Sequence, residues 1–297
     1  MTIQYFAPFS RREFKVNMEE EINTDKFIHT NSRQYFAFNI WDTESAKAVI
    51  DAAYKTNQKV ILQTSVKVFE VLDKKAFPVF VKSYSREKNV QAYLHLDHCR
   101  KIELLQEAAE NGWDSVMLDA SDKPLDENIR LTNEARAAVK KNVLLEAEVG
   151  WIGRTGDGEP ALEVGIAEIE DIRRFVCNTD VDMLAIALGT SHGMYFHAPK
   201  IHFDLIEKTA CFTDLPLVVH GGTGLTVEMF QRLLSYQNIK KINISTDVKL
   251  AYRKGILSGM ERGLLEETGF DPLKITERIH GSIEEMAVDK LKLLREE

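Results

Sequence analysis

The sequence predicts a (β/α)8 barrel, and three observations support this fold class. From residue 35 onward, short apolar segments rich in β-forming residues alternate with longer amphipathic segments. The apolar segments are continuous rather than alternating, which is typical of parallel strands covered on both faces. No linker or low-complexity tract interrupts the series, so residues 34–297 are expected to form one domain. Roughly eight β-then-α units in a chain of this length are the signature of the closed barrel.

The predicted strands are segments of four or five residues. They are YFAFN (35–39), KVILQ (59–63), QAYLH (91–95), SVML (115–118), VLLEA (143–147), MLAIA (183–187), PLVVH (216–220) and KINI (241–244). A doubly wound open sheet is the alternative architecture. It is less favoured because no GxGxxG motif follows an early strand.

Helical patterns fill the intervals between the strands. Residues 43–56 form an amphipathic segment with Thr43 as the expected N-cap, and residues 101–112 form another with Gly112 as the expected C-cap. Segments 127–141 and 227–237 repeat the pattern. Residues 1–33 are predicted to be an N-terminal extension with a helical segment. The tail from about residue 271 is predicted to add helices outside the barrel.

Composition excludes several classes of function. The formal net charge is −8, which argues against a nucleic-acid partner or an anionic membrane. The three cysteines are widely spaced and form no CxxC motif, so a disulfide framework is not expected. No apolar run approaches the length of a membrane span, and the first residues lack the apolar region of a signal peptide. A cytoplasmic protein is therefore expected.

Polar side chains collect where the predicted strands end, which is the face of this barrel that carries chemistry. In chain order they are Asn39; Gln63, Thr64 and Ser65; His95, Asp97 and His98; Asp119 and Ser121; Glu146 and Glu148; His192; His220; and Asn243, Ser245 and Thr246. A single histidine is more often structural than a ligand. Several histidines at the ends of different strands, with carboxylates nearby, instead indicate a zinc-type catalytic site.

Two glycine-rich segments indicate a second function. GTSHG (189–193) and HGGTG (220–224) place backbone N–H groups where an anion can approach without interference from a Cβ atom. Hydroxyl donors of Thr223, Ser245 and Thr246 follow nearby. Phosphate binding by the loops after the last two strands is a recurrent use of the (β/α)8 barrel. The alternative is that these glycines only form tight turns.

The strand-end motifs together resemble one family, the class II, metal-dependent ketose-phosphate aldolases, and lie nearer its tagatose-type branch. The motifs are FAFN (36–39), HLDH (95–98), SVMLDAS (115–121), LEAEVG (145–150), ALGTSHGMY (187–195), VVHGGTG (218–224) and KINIST (241–246). They cover most of the chain in the family's order, so the resemblance is far more specific than any one motif. It implies a TIM barrel.

The resemblance implies roles for individual residues. His98, His192 and His220 would hold a divalent metal, most often zinc, and Glu148 would approach the same metal and take part in catalysis. Asp97 would be the acid/base group for the hydroxyl proton of the substrate. Predicted substrate and phosphate contacts are Asn39, Ser65, Gly193, Gly221, Gly222, Thr223, Asn243, Ser245 and Thr246. Carbonyls near Ser191, Gly193 and Gly221 match a monovalent-cation site, for Na⁺ or K⁺.

The resemblance also implies the reaction. Such an enzyme reversibly cleaves a ketose phosphate, either a ketose 1-phosphate or a 1,6-bisphosphate, into dihydroxyacetone phosphate and an aldehyde. The only partner expected besides this small sugar phosphate is a second copy of the chain, because the family forms homodimers or homotetramers.

Departures from the family pattern change residues to which the resemblance assigns roles. In the loop 151–161, Gly156 stands where the family has a glutamate that exchanges a proton at C3, so Asp157 is predicted to substitute, with Glu159 as the alternative. Leu273 follows Asp271 and Pro272 where the family often has an arginine for a second phosphate. Arg253, Lys254 and Arg262 are candidates to replace that arginine.

Two other functions are consistent with the sequence. A catalytically impaired, sugar-phosphate-binding pseudo-aldolase is the first, because the loop glutamate is missing. A TIM-barrel metallohydrolase is the second, but it gives no reason for the phosphate-binding motifs.

Overall fold

Eight parallel strands close into a barrel in which each strand pairs with the next and β8 pairs with β1. The computed structural model describes residues 27–28, 34–152, 165–191, 193, 195 and 199–294. The strands are β1 (Tyr35–Asn39), β2 (Val60–Ser65), β3 (Ala92–Cys99), β4 (Ser115–Leu118), β5 (Leu144–Val149), β6 (Met183–Ile186), β7 (Leu217–Val219) and β8 (Ile239–Ile244). The predicted (β/α)8 barrel is confirmed.

Helices follow the strands and cover the outside of the barrel. They are α1 (Thr43–Thr56), α2 (Val66–Val71), α3 (Ala76–Glu87), α4 (Ile102–Glu110), α5 (Leu125–Ala138), α6 (Ile169–Asn178), α7 (Phe203–Ala210), α8 (Val227–Leu234), α9 (Thr246–Glu261) and α10 (Pro272–Leu291). Among the described residues, no helix combines the length and apolar character that crossing a membrane requires.

Helix α1 begins as predicted at Thr43, but the N-cap is the preceding residue. Asp42 accepts a hydrogen bond from the Ser45 N–H at 2.7 Å, and the Ser45 hydroxyl accepts one from the Asp42 N–H at 3.1 Å. This reciprocal pair is a capping box, which satisfies two N–H groups that the helix leaves unpaired. Thr43 is therefore the first helical residue rather than the cap. Helix α4 ends at Glu110, with Asn111 as its C-cap and Gly112 in the left-handed region at φ 96°.

The extra C-terminal helix α10 packs closely against α9. A Cβ atom on Gly255 would lie 2.4 Å from the Ile279 Cα atom, and one on Gly259 would lie 2.6 Å from Ile275 Cδ1. Glycine at these two positions therefore lets the helices approach closely. The contact fixes the outer layer behind β8 and β1.

The barrel interior changes from apolar to polar along its axis. Near the amino ends of the strands, Tyr35, Ala37, Ile61, Leu144, Met183, Ala185 and Val218 form a buried cluster with Phe27 and Ile28. Because inward-facing residues recur every second position, the next inward residues after β1 Ala37, β2 Ile61, β5 Leu144 and β7 Val218 can be read off the sequence, and all four are polar. They are Asn39, Gln63, Glu146 and His220, all at most 7% exposed. This change positions the site at the carboxyl ends of the strands.

Phe27 belongs to the predicted N-terminal extension, yet its ring stacks on Tyr93 at 4.1 Å between centroids and meets Tyr35 edge-on at 5.7 Å. Residues 27 and 28 thus complete the apolar end of the barrel. The remainder of that extension lies outside the described residues, and its helical character stays a prediction.

Candidate active site

A bulge in β3 brings two consecutive functional side chains to the barrel mouth. Leu96 pairs with Val116 and Cys99 pairs with Leu118, so β3 carries one residue more than β4 over this interval. His98 has φ 49°, in the left-handed region that residues other than glycine rarely adopt. In a regular strand, neighbours point to opposite faces. The bulge and the unusual backbone instead let Asp97 and His98 line the same cavity.

Asp119 fixes the orientation of His98. Its Oδ2 atom lies 3.0 Å from His98 Nδ1, and its Oδ1 atom accepts a hydrogen bond from the Ser121 hydroxyl at 2.8 Å. A carboxylate oxygen only accepts, so His98 Nδ1 carries the hydrogen. His98 Nε2 is left to face the barrel mouth.

Glu146 orients His220 in the same way but through the other ring nitrogen. Glu146 Oε1 lies 2.8 Å from His220 Nε2, and both residues are fully buried. His220 Nε2 therefore donates to the carboxylate, and Nδ1 faces His98. Burial, with the neighbouring charge of His98, lowers the pKa of His220 well below its ordinary value.

The outward nitrogens of the two rings meet. His98 Nε2 and His220 Nδ1 are 2.9 Å apart, with the ring planes at 84°. Because each ring has its other nitrogen bound to a carboxylate, these two nitrogens share one hydrogen, with His98 Nε2 donating and His220 Nδ1 accepting. A cation that displaced this hydrogen would meet both lone pairs at one point. This is the arrangement that carboxylate–histidine–metal sites use.

Glu148 adds an oxygen to the same point. Its Oε1 atom accepts from the Ile152 N–H at 3.1 Å, whereas its Oε2 atom is buried without a hydrogen-bond partner among the described residues and lies 3.8 Å from His220 Nδ1. Burial raises the pKa of Glu148 to about 7. An unpartnered buried carboxylate oxygen is costly unless a cation or proton satisfies it.

The donor set fits a divalent cation. Ligand atoms of Asp97, His98 and His220 lie within 4.8 Å of one another, and so do those of His98, Asp119 and Glu148. Burial acts to lower the pKa of His98, but the negative charge of Asp97, with Asp119 and Glu148, outweighs it and raises the pKa to about 9. The mouth of the barrel thus attracts positive charge. Imidazole nitrogen and carboxylate oxygen are the ligands of catalytic zinc.

Two predicted residues cannot be placed. His192, predicted as a metal ligand, and Asp157, predicted as a catalytic acid, lie outside the described residues, as do Gly156 and Glu159. Their roles stay predictions.

A cavity of about 390 Å³ opens in front of the metal-type donor set. It is lined by Asn39, Gln63, Ser65, Val66, Lys67, Asp97, His98, Gly193, Gly221, Thr223, Asn243, Ser245, Thr246 and Lys249. Eight of the nine residues predicted to contact substrate or phosphate therefore meet at one cavity. Gly222 is the ninth, and it does not line the cavity. Its N–H group donates to the Asn243 carbonyl at 3.0 Å, so this glycine joins β7 to β8 rather than offering its N–H to an anion.

Tyr195, for which no role was predicted, connects the loops that follow β6 and β7. Its hydroxyl donates to the Gly221 carbonyl at 2.7 Å and accepts from the Ser191 N–H at 3.0 Å. A Cβ atom on Gly221 would lie 2.3 Å from the Ser191 carbonyl oxygen, and Gly221 has φ 73°, so both space and backbone require glycine there.

Beneath the histidines lies a buried ion pair that was also not predicted. Lys241 Nζ is 2.7 Å from Glu146 Oε2, and both side chains are fully buried. His95 lies beside them, with Nδ1 2.8 Å from the Ser115 hydroxyl and Nε2 3.6 Å from Glu146 Oε2. Burial, then the charge of Lys241, lowers the pKa of His95 well below its ordinary value, so His95 is neutral.

A larger cavity, of about 670 Å³, lies at the opposite end of the barrel between the segments that precede β2 and β3. Its lining, which includes Asn57, Lys59, Lys88 and Asn89, holds no carboxylate or imidazole among the described residues. It lacks the acid, base and metal-ligand groups that converge at the other end.

Comparison with known proteins agrees with the geometry. The family described as "Fructose-bisphosphate aldolase class-II" matches residues 26–297. A 6-phospho-5-dehydro-2-deoxy-D-gluconate aldolase of Shouchella clausii is 36% identical over 239 residues, covering 79% of this chain and 80% of that protein. A fructose-bisphosphate aldolase of Geobacillus stearothermophilus is 33% identical over 259 residues, covering 86% and 89%.

A solved structure shares the architecture. The crystal structure of the YdjI aldolase from Escherichia coli superposes with a TM-score of 0.72 at 25% identity, covering 88% of this chain and 91% of that one. The match of the family over nearly the whole barrel, together with the convergent histidines and carboxylates, leads to one conclusion: the chain belongs to the class II fructose-bisphosphate aldolase family and is an aldehyde-lyase, an enzyme that cleaves carbon–carbon bonds.

Proposed function

We propose that this enzyme is a zinc-dependent aldolase that reversibly cleaves a ketose phosphate into dihydroxyacetone phosphate and an aldehyde. The observation that carries the proposal is the 2.9 Å approach of His98 Nε2 and His220 Nδ1, since a cation that displaced the hydrogen between them would meet both lone pairs at one point. Together with His192 and Glu148 they would form the ligand set. Two imidazole nitrogens with a carboxylate suit Zn²⁺ better than the oxygen-preferring Mg²⁺.

The cation supplies one kind of chemistry when bound: as a Lewis acid, it stabilises the negative charge that develops on the substrate oxygens. The residues around it bind and orient the substrate. The phosphate of the dihydroxyacetone phosphate half would lie against Gly221, Thr223, Ser245 and Thr246, at the amino end of α9. Unpaired N–H groups at such a helix end favour an anion.

Asp97 is the proposed acid/base group. It is 6% exposed and stands next to His98 at the cavity. Gln63 Nε2 lies 3.4 Å from its Oδ2 atom, and Asn243 Nδ2 lies 3.5 Å from its Oδ1 atom, so amide donors hold the carboxylate on both sides. As the bond between C3 and C4 breaks, Asp97 takes the proton of the C4 hydroxyl and the bonding electrons pass to the enediolate.

The enediolate then needs a proton at C3 to become dihydroxyacetone phosphate. Asp157 is the proposed donor, since the loop that carries it follows β5 and Glu148. Carbonyls near Ser191, Gly193 and Gly221 are the proposed ligands of a monovalent cation, Na⁺ or K⁺. The Gly221 carbonyl oxygen accepts a hydrogen bond from the Tyr195 hydroxyl, which uses one of the two lone pairs of that oxygen and leaves the other for the cation.

A panel of ketose phosphates tests the function. The metal-loaded enzyme should release dihydroxyacetone phosphate from at least one of them, and chelation or His220→Ala should abolish the release. Products that have gained water would instead identify a metallohydrolase. Binding of dihydroxyacetone phosphate without exchange of its C3 proton with solvent would identify a pseudo-aldolase.

We also propose that the enzyme is a homodimer or homotetramer. Large apolar side chains are exposed at the end of α9 and the start of α10: Met260 is 62%, Phe270 55% and Leu273 72% exposed. Exposed apolar clusters often mark contacts between subunits. Light scattering that gives the mass of one chain would contradict this.

A further inference from the structure

Two lysines at the catalytic cavity stand apart from the other cations around the barrel mouth. Lys67 follows β2 and Lys249 lies in the first turn of α9; both line the cavity and both side chains are exposed. Neither forms an ion pair or hydrogen bond with another described residue. Two other lysines, on α9 and α10, already form ion pairs: Lys254 with Glu285 at 2.7 Å and Lys290 with Asp247 at 2.9 Å.

The lysines belong to different parts of the cavity. Lys249 is three residues after Thr246, on the β7–β8 side where the proposed phosphate contacts lie. Lys67 is two residues after Ser65, on the β2 side, and β1 separates β2 from β8. Asp97 pairs in register with Ser65 across β2 and β3. The Asp97 carboxylate nevertheless reaches across the mouth, 3.5 Å from Asn243 Nδ2 on β8 and 3.4 Å from Gln63 Nε2 on β2. The group that would handle the C4 proton therefore lies between the phosphate end and the β2 side that carries Lys67.

This order gives the substrate a direction. A ketose phosphate with its phosphate on the β7–β8 side and its C4 hydroxyl at Asp97 would have its remaining carbons near Gln63, Ser65, Val66 and Lys67, which are the described lining residues on that side. These carbons become the aldehyde product. The group at their end would meet an unpaired ammonium.

We propose, on the basis of the function proposed above, that Lys67 takes the place of the family's arginine, which this chain replaces with Leu273, and binds an anionic group at the aldehyde end of the substrate. Lys67 would then be the residue that determines the preference of this enzyme for a substrate with a second acidic group. The Lys67 ammonium supplies a charge and three N–H donors. The Ser65 hydroxyl, whose oxygen accepts the Val68 N–H at 3.4 Å to cap α2, keeps its hydrogen available as a further donor. Carboxylate and phosphate oxygens both suit this pair.

The other cationic residues that were candidates to bind a second acidic group do not line the cavity. Lys254 is held by Glu285, and Arg253 and Arg262 do not line the cavity. The names of the two relatives described above are consistent with a substrate that is acidic at both ends. One names a bisphosphate, and the other names a phosphorylated gluconate derivative. Lys249 would then assist the first phosphate and Lys67 the second acidic group.

Three polyol ligands of equal carbon number test which acidic group, if any, is bound at the aldehyde end. They are D-glucitol 6-phosphate, 6-phospho-D-gluconate and D-glucitol 1,6-bisphosphate, which carry at the far end no acid, a carboxylate and a phosphate. Binding to the zinc-loaded enzyme is measured by calorimetry for the wild type, Lys67→Met, Lys67→Arg and the control Lys141→Met, whose exposed lysine lies away from the cavity.

We expect the wild type to prefer at least one doubly acidic ligand, and Lys67→Met to lose about 10- to 100-fold in that affinity, the effect of losing one charge-assisted hydrogen bond. Binding of D-glucitol 6-phosphate should stay unchanged. Lys67→Arg should keep the preference, and Lys141→Met should match the wild type. The doubly acidic ligand whose affinity falls more in Lys67→Met shows whether Lys67 binds a carboxylate or a phosphate.

The same experiment distinguishes the two proposals. A preference that survives Lys67→Met, or no preference in the wild type, overturns the role of Lys67 even if the enzyme cleaves ketose phosphates. A preference that depends on Lys67 in an enzyme without aldolase activity supports the anion site and contradicts the proposed reaction.

Discussion

Lys241 and Glu146 form an ion pair of 2.7 Å inside the barrel, with neither side chain exposed to solvent. The second oxygen of Glu146 is 2.8 Å from His220 Nε2. Lys241 pairs in register with Tyr35, directly above the apolar end of the barrel. The ion pair therefore connects the packed interior to the metal-type site, because the lysine fixes the carboxylate and the carboxylate fixes the imidazole.

Removing the lysine should destabilise the fold. Lys241→Met leaves the Glu146 charge buried without its partner, which typically costs about 3–5 kcal/mol of unfolding free energy. Urea unfolding of the metal-free protein measures the loss. The double variant Glu146→Gln/Lys241→Met, which has no unpaired charge, should recover most of it. Equal stability of Lys241→Met and the wild type would show that the pair is not a structural requirement.

Changing the carboxylate alone should affect the metal. In Glu146→Gln an amide oxygen replaces the carboxylate that accepts from His220, so the imidazole becomes a weaker ligand. Loss of such a partner typically lowers metal affinity about 10- to 100-fold. Competition with a chromophoric chelator measures the zinc affinity, with Glu103→Gln on the exposed face of α4 as the control. An unchanged affinity would rule out the orienting role.

The sequence predicted the barrel and the polar ends of its strands because both follow from local patterns. The predicted bounds of β1 and β4 match those observed, at Tyr35–Asn39 and Ser115–Leu118. The ion pair was not predicted, because Lys241 precedes INI at a strand start and resembles a surface residue. Its partner Glu146 lies 95 residues away in the chain, and only closure of the barrel reveals the contact.

The β3 bulge was not predicted, for a related reason. The predicted strand ends at His95, whereas β3 continues to Cys99 with one extra residue relative to β4. Register depends on the partner strand rather than on local propensity. Lys67 was overlooked because an exposed lysine carries no signal until the cavity beside it is known.

Metal should stabilise the enzyme only when both histidines are present. A ligand that binds the folded state alone raises the unfolding free energy by about 2.7 kcal/mol at a concentration 100 times its dissociation constant. Zinc should therefore raise the melting temperature of the wild type but not that of His98→Ala or His220→Ala. A shift of equal size in all three would place the cation elsewhere.

Asp97→Asn should separate catalysis from metal binding. The amide keeps the shape of the side chain but does not accept the hydroxyl proton, so kcat should fall by roughly 10²- to 10⁴-fold. Zinc content, measured by elemental analysis, should stay at the wild-type level because the histidines are intact. The substitution would also bring an amide group against the donors Gln63 and Asn243, so a thermal melt must confirm that the variant is folded. Activity within a few-fold of the wild type would refute the role of Asp97.

Asp114 should make stability depend on pH. It is 4% exposed, and its Oδ2 atom accepts from the Leu94 N–H at 2.7 Å. Burial raises its pKa from 3.8 to about 6, although Lys82 and this hydrogen bond oppose the shift. The folded protein therefore holds a proton between about pH 4 and 6 that the unfolded chain releases, so this group stabilises the fold at low pH and the contribution is lost as the pH rises through about 6.

Asp114→Asn removes this titration while its amide oxygen keeps an acceptor for Leu94. The unfolding free energy of the variant minus that of the wild type should thus rise by up to about 3 kcal/mol between pH 4 and pH 7, since each pKa unit corresponds to about 1.4 kcal/mol. Urea unfolding across this range measures the difference, and Asp180→Asn, at an exposed position, serves as the control. A difference that stays constant with pH would mean that Asp114 titrates alike in the folded and unfolded states, and hence that Lys82 and the Leu94 N–H fully offset its burial.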